Sequence, residues 1–140
     1  MSKVYVAGVG LTKIDEHWWM SLEYLMTEAS LKALDDAGIS RVDSIYVGSM
    51  LSPILQEQSH LGALLAEELG LSGIPAIGVE AASASGAAAV YAGAREIESG
   101  RANAVLVVGV DKMSDGMAEE VTAAMMSGER QEFNLLLLKL

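Results

Sequence analysis

The residues best spaced for chemistry lie in Val79-Glu80-Ala81-Ala82-Ser83-Ala84-Ser85-Gly86. An apolar run ends and a run of small residues begins within two or three positions, so the backbone turns sharply from strand into helix. Ser83 falls near the first helical turn, where unpaired N–H groups and the positive end of the helix dipole point outward. A nucleophile there would have its anion stabilised, and a backbone N–H there could serve as an oxyanion donor. A plainer reading needs no reaction: serine is a good helix N-cap, and Ser-Ala-Ser-Gly commonly opens a helix. On pattern alone, capping is the commoner of the two. A serine-hydrolase elbow, G-x-S-x-G, does not fit. Ser83 is flanked by Ala81 and Ser85, Ser85 by Ser83 and Ala87, and both histidines precede the serines.

Other reactive groups are few. The chain has no cysteine, which removes disulfides, thiolate metal sites and a cysteine nucleophile. His17 and His60 alone are too few for a metal cluster, so no metal is expected. His60 reads as a helix-capping or surface group, and Trp18-Trp19 as a pair covering a core edge. Gly8-x-Gly10 lacks the third glycine and the immediate helix of a dinucleotide site. Lys13, Arg95, Arg101 and Lys112 could meet phosphates, but their spacing does not show it. Glu119-Glu120 reads as a solvated face.

The elements that would hold Ser83 follow from the hydrophobic periods. Residues 3–10 form a β-branched run closed by glycines, read as a buried strand. Ser21 is an N-cap, apolar residues recur at three- and four-residue steps, and Gly38 is a stop, which predicts a helix over 22–37. Strands are expected over 43–50, 76–81 and 104–110, with a turn around Pro53. Helices are expected over 57–69, ended by Gly70, and over 83–99, ended by Gly100. A further helical pattern begins after Asp115. The order β-α-β-α-β-α-β predicts an α/β fold with a mostly parallel sheet and helices on both faces. Ser83 should then protrude just beyond the carboxyl end of a central strand.

Composition agrees with one packed domain. The chain has 140 residues, 51% hydrophobic and 20% charged, with mean hydropathy +0.34. That excludes wholesale disorder. A net charge of −10 argues against nucleic acid or an anionic membrane surface as partner. The most apolar long window, 74–94, carries Glu80, serines and glycines and makes a poor membrane span. No secretory signal is visible, so a cytoplasmic location is expected. Residues 133–140 (FNLLLLKL) end the chain on an apolar run that calls for a partner surface or marks a shortened chain.

The motif around Ser83 resembles the nucleophile segment of thiolases, above all the archaeal and sterol-carrier-type branch of acetyl-CoA acetyltransferases. There an acidic or polar residue and two small residues precede Cys-Ala-Ser-Gly. Ala33-Leu34-Asp35-Asp36-Ala37-Gly38-Ile39 is similar to that family's first-helix ending, and Tyr46-Val47-Gly48-Ser49-Met50 to its second strand. Val108-Gly109-Val110-Asp111-Lys112-Met113-Ser114 is similar to its Gly-Gly-x-Glu-x-Met-Ser turn. The likeness runs from about residue 3 to about residue 130.

The resemblance implies acyl transfer between coenzyme A thioesters: Claisen condensation of acetyl-CoA to acetoacetyl-CoA, or the reverse. It implies no covalently bound cofactor, with the coenzyme A thioester as substrate. Ser83 maps onto the nucleophilic cysteine, its backbone N–H onto an oxyanion donor. The family's activating histidine, further oxyanion site and second cysteine belong to a half beyond this sequence. Residues 1–130 are therefore expected to be a truncated thiolase N-terminal domain and 131–140 an atypical tail. With serine in place of the thiolate, the chain is expected to be inactive alone. The resemblance also implies a homo-oligomer paired through strand 76–81. By analogy it adds a small OB-fold partner and HMG-CoA synthase. The alternative is a non-catalytic thiolase-like protein that only dimerises or joins a complex.

Overall fold

The computed structural model describes residues 3–129. Its elements are α1 (Leu22–Ala37), β1 (Ser44–Gly48), α2 (Ser52–Leu55), α3 (Leu61–Glu68), β2 (Ala76–Val79), α4 (Ser85–Glu98), β3 (Val105–Gly109) and α5 (Ala118–Met126). The strands form a parallel sheet in the order β2-β1-β3. This is the expected α/β architecture.

Strand alternation sorts the helices onto two faces. Ile45 and Val47 of β1 and Leu106 and Val108 of β3 join Leu22, Met26, Leu34, Leu61 and Leu65 in one buried cluster beneath α1 and α3. On the other face the Ser44 hydroxyl donates to Glu96 of α4 at 2.7 Å. A hydrogen bond to the same carboxylate holds the Tyr46 phenol above its ordinary pKa. Val105 and Val107 also lie against α4, at Gly93.

The helix boundaries have local causes. The Ser21 hydroxyl accepts from the Tyr24 N–H at 3.2 Å, and Gly38 closes α1 in the left-handed region with φ 66°. Gly70 and Gly100 take φ 65° and 75° after α3 and α4. Where a turn was expected at Pro53, a short helix begins with that proline in its first turn.

Three expectations need correction. Residues 3–10 are not a strand of the sheet. The segment rests on α1 instead: a Cβ on Gly8 would fall 2.4 Å from the Ala33 carbonyl oxygen, and the Val9 N–H donates to Asp36 at 2.9 Å. An apolar cleft of about 570 Å³, lined by Val4, Val6, Val105 and Val107 among others, lies between it and the outer edge of β3, and it has no ladder partner among the described residues. Second, β2 lies at the border of the sheet rather than at its centre, paired on one side by β1. Third, Trp18 and Trp19 do not cover the core; Trp19 is 98% exposed. The apolar run 133–140 lies outside the described residues.

Candidate functional site

After Val79 the chain makes a tight double turn. The Ala84 N–H donates to the Ala81 carbonyl at 2.9 Å and the Ser85 N–H to the Ala82 carbonyl at 3.0 Å. Ala82 has φ 48°, in the left-handed region that a residue with a Cβ enters only under constraint. The constraint is Ser85. Its hydroxyl accepts from the Ala81 N–H at 2.9 Å and donates to the Ala82 carbonyl at 2.7 Å, and the residue is only 4% exposed. Glu80 adds a hydrogen bond from the Ala82 N–H to its carboxylate.

This division of labour leaves Ser83 outside the capping bonds. The N-cap of α4 is Ala84, which has no capping side chain. Ser85, inside the first turn, ties the turn down. Ser83 is exposed, and its hydroxyl has no hydrogen-bond partner among the described residues. The capping reading, the commoner one on pattern, therefore does not hold for Ser83. The residue stands at the amino-terminal tip of a 14-residue helix, where helices leave N–H groups unpaired and the dipole favours negative charge.

The floor beneath this tip is the end of β1. A Cβ on Gly48 would fall 2.5 Å from the Ser85 carbonyl oxygen and 2.9 Å from the Gly86 nitrogen, so only glycine lets strand and helix meet this closely. Next to it, the Ser49 N–H donates to the Val79 carbonyl at 3.2 Å and the Val110 N–H to the Gly48 carbonyl at 3.0 Å. The ends of all three strands thus meet at residues 48–51. Asp111 closes the meeting point with bonds from Ser49 Oγ and the Leu51 N–H, both at 2.8 Å. Sequence reasoning placed Ser85, Gly48 and Asp111 in motifs without giving them these roles. The available signal was a hydroxyl two residues after Ser83 and an acidic residue just past a strand.

The other candidates lie apart from this arrangement. His17 Nε2 meets the Lys13 carbonyl at 2.6 Å. His60 occupies the N-cap position of α3 with φ 59° but makes no capping bond with its side chain. Lys112 is buried against Asp115, Lys13 pairs with Asp15 and Arg95 with Glu98, so three of the four basic candidates have acidic neighbours. Among the described residues no group of three or more His, Cys, Asp or Glu could hold a metal ion. No described helix is long and apolar enough to cross a membrane.

The site is thus a strained strand-to-helix turn with an unpartnered hydroxyl at the helix tip and a glycine floor. The thiolase N-terminal domain family matches residues 4–137, and the chain belongs to the thiolase family. It is 40% identical to the acetyl-CoA acetyltransferase of Methanocaldococcus jannaschii, over 97% of this chain and 35% of that protein. It is 38% identical to that of Methanothermobacter thermautotrophicus, over 95% of this chain and 35% of the relative. Sterol carrier protein 2 of Gallus gallus is 36% identical over 81% of this chain and 21% of its own length. Among solved structures, the 3-oxoacyl-[acyl-carrier-protein] synthase III of Aquifex aeolicus superposes with TM-score 0.62 at 25% identity, covering 69% of this chain and 32% of that one. The chain therefore spans about a third of the length of the archaeal relatives it matches.

Proposed function

We propose that this chain supplies the nucleophile-bearing portion of a thiolase-type acyltransferase acting on coenzyme A thioesters, with Ser83 at the nucleophile position. The observation that carries the reading is the tip itself: an exposed, unpartnered hydroxyl ahead of α4, held out by the Ser85 lock. In the first half-reaction the nucleophile at residue 83 attacks the thioester carbonyl. The carbon–sulfur bond then breaks, and coenzyme A departs with the proton the nucleophile gives up. A backbone N–H at the tip would stabilise the oxyanion.

Serine is the weak point of that chemistry. An alcohol needs a strong adjacent base, whereas a thiol at a helix tip needs little help. No described base is hydrogen-bonded to Ser83, so the chain is proposed to be inactive alone. The archaeal relatives named acetyl-CoA acetyltransferase favour acetyl-CoA as the substrate. A homo-oligomer, an OB-fold partner, HMG-CoA synthase and a cytoplasmic setting are the further proposals the family suggests.

The test is intact-mass analysis of the Ser83→Cys chain after incubation with acetyl-CoA. One acetyl group on residue 83, absent from the native chain, is expected. A thiol at that position which reacts with iodoacetamide but never acquires an acetyl group would contradict the reading.

The second reading, a non-catalytic dimerising protein, draws on the outer edge of β2. That edge has no described strand beside it, and Ile77 there is 45% exposed. A sedimentation profile that stays monomeric at micromolar concentration would remove it.

A further inference from the structure

We infer that Asp111 is a positioning residue for the Ser83 tip; the inference rests on reading residue 83 as the nucleophile position. The Asp111 carboxylate stands two residues past the end of β3 and, among the described residues, gathers its donors from one turn. Its Oδ1 accepts from Ser49 Oγ and the Leu51 N–H, each at 2.8 Å, and the Met50 N–H lies 3.3 Å from both carboxylate oxygens. Hydrogen bonds to an ionised carboxylate are roughly twice as strong as neutral ones. Three donors on one carboxylate hold the 49–51 turn just past Gly48 and Gly109, where the β1–β3 ladder ends.

What the turn carries leads to Ser83 by two routes. Ser49, whose hydroxyl Asp111 holds, donates its own N–H to the carbonyl of Val79, the last residue of β2 before Glu80-Ala81-Ala82-Ser83. Gly48, one residue earlier, is the floor against which Ser85 and Gly86 rest. Met50 and Ala82 also flank Gly128 together: a Cβ there would lie 2.8 Å from Met50 Cε and 3.0 Å from Ala82 Cβ. A shift of the 49–51 turn would therefore be felt on both sides of residue 83.

The sign of the effect separates positioning from two simpler roles. If Asp111 acted on residue 83 only through its charge, removing it would make a thiol there more acidic. If it served stability alone, the thiol of the folded protein would not change. If it positions the tip, losing it relaxes the alignment of helix N–H groups, and the thiol becomes less acidic despite the lost negative charge.

The experiment uses the full chain carrying Ser83→Cys, whose thiol is the single one in the molecule because the sequence has no cysteine. The pH profile of its alkylation by iodoacetamide is measured in this parent and after adding Asp111→Ala, Asp111→Asn or Ser49→Ala, with the folded fraction followed by circular dichroism. The parent is expected to titrate below the ordinary thiol value of about 8.5. Asp111→Ala is expected to slow alkylation at neutral pH by about 3- to 10-fold, a rise of about half to one pKa unit. Asp111→Asn should recover most of the rate, since its amide oxygen still accepts from Ser49 and Leu51. Ser49→Ala keeps the charge and should move the profile in the same direction as Asp111→Ala; it decides the matter should Asp111→Ala not fold. An acidic parent thiol that these variants leave unchanged, or make more acidic, overturns the positioning role alone. A parent thiol of ordinary acidity overturns the nucleophile reading, and the positioning role with it.

Discussion

Gly48 and Ser85 meet where the central strand ends and α4 begins: a Cβ on Gly48 would lie 2.5 Å from the Ser85 carbonyl oxygen and 2.7 Å from its carbonyl carbon. Both are backbone atoms, which cannot swing aside as a flexible side chain can. Gly48→Ala must therefore push the first turn of α4 away from the sheet. Overpacking of this kind costs about 1–3 kcal/mol, read as a lower urea midpoint. A Gly48→Ala chain that unfolds at the native midpoint would show that helix and strand are not in the contact described.

Ser83 and Ser85, two positions apart, should respond unequally to truncation. Ser85→Ala removes the bonds its hydroxyl makes to the Ala81 N–H at 2.9 Å and the Ala82 carbonyl at 2.7 Å, and losing a hydrogen bond of this kind costs about 0.5–1.5 kcal/mol. Ser83→Ala removes an exposed hydroxyl with no described partner and should change stability by no more than about 0.5 kcal/mol. Equal losses at the two sites in chemical denaturation would return Ser83 to the role of a structural cap.

The sequence made much of this site readable because the relevant signals are local. Ser21, Gly38, Gly70 and Gly100 end or begin helices through their own hydroxyl or backbone freedom, and each does so where expected. The turn at 80–86 was legible for the same reason. Which serine ties the turn down was not. Ser83 and Ser85 are equal by residue type, and what separates them, the turn with Ala82 at positive φ that leaves Ser83 exposed and Ser85 buried, is backbone geometry. Asp111 and Ser49 lie 62 positions apart, so their bond depends on the parallel register of β1 and β3, which a hydrophobic period does not specify.

Residues 3–10 show the limit from the other side. Their β-branched pattern suits a strand, yet a ladder needs a neighbouring edge within hydrogen-bond reach, and here the cleft beside β3 intervenes. The segment is held instead by the Val9 N–H bond to Asp36 and by the packing of Gly8 on α1. Asp36→Ala should therefore loosen this segment while the core, anchored at Ile45, Val47 and Leu65, keeps its stability to within about 0.5 kcal/mol. Limited proteolysis should show faster cleavage in the first fifteen or so residues, at an unchanged unfolding midpoint. Cleavage at the native rate would mean that the packing of Gly8 and Gly10 on α1, with the bond from Lys32 to the Leu11 carbonyl, suffices.

Asp43 gives the fold a defined sensitivity to acid. Its carboxylate accepts from the Asn103 N–H at 2.6 Å and the Ala104 N–H at 3.1 Å, tying the start of β1 to the start of β3. These two bonds, that from Asn103 foremost, hold its pKa below the ordinary carboxylate value. A folded pKa lower than the unfolded one means a contribution to stability that is complete above the unfolded value of about 3.9 and is lost as pH falls through the folded value. In Asp43→Asn an amide replaces the titrating group, so that part of the pH dependence disappears. Urea midpoints measured from neutral pH down to about pH 3 should fall less steeply for the variant than for the native chain, with the two curves converging at the acidic end. Parallel curves across that range would mean that the bonds at Asn103 and Ala104 do not couple protonation of Asp43 to folding.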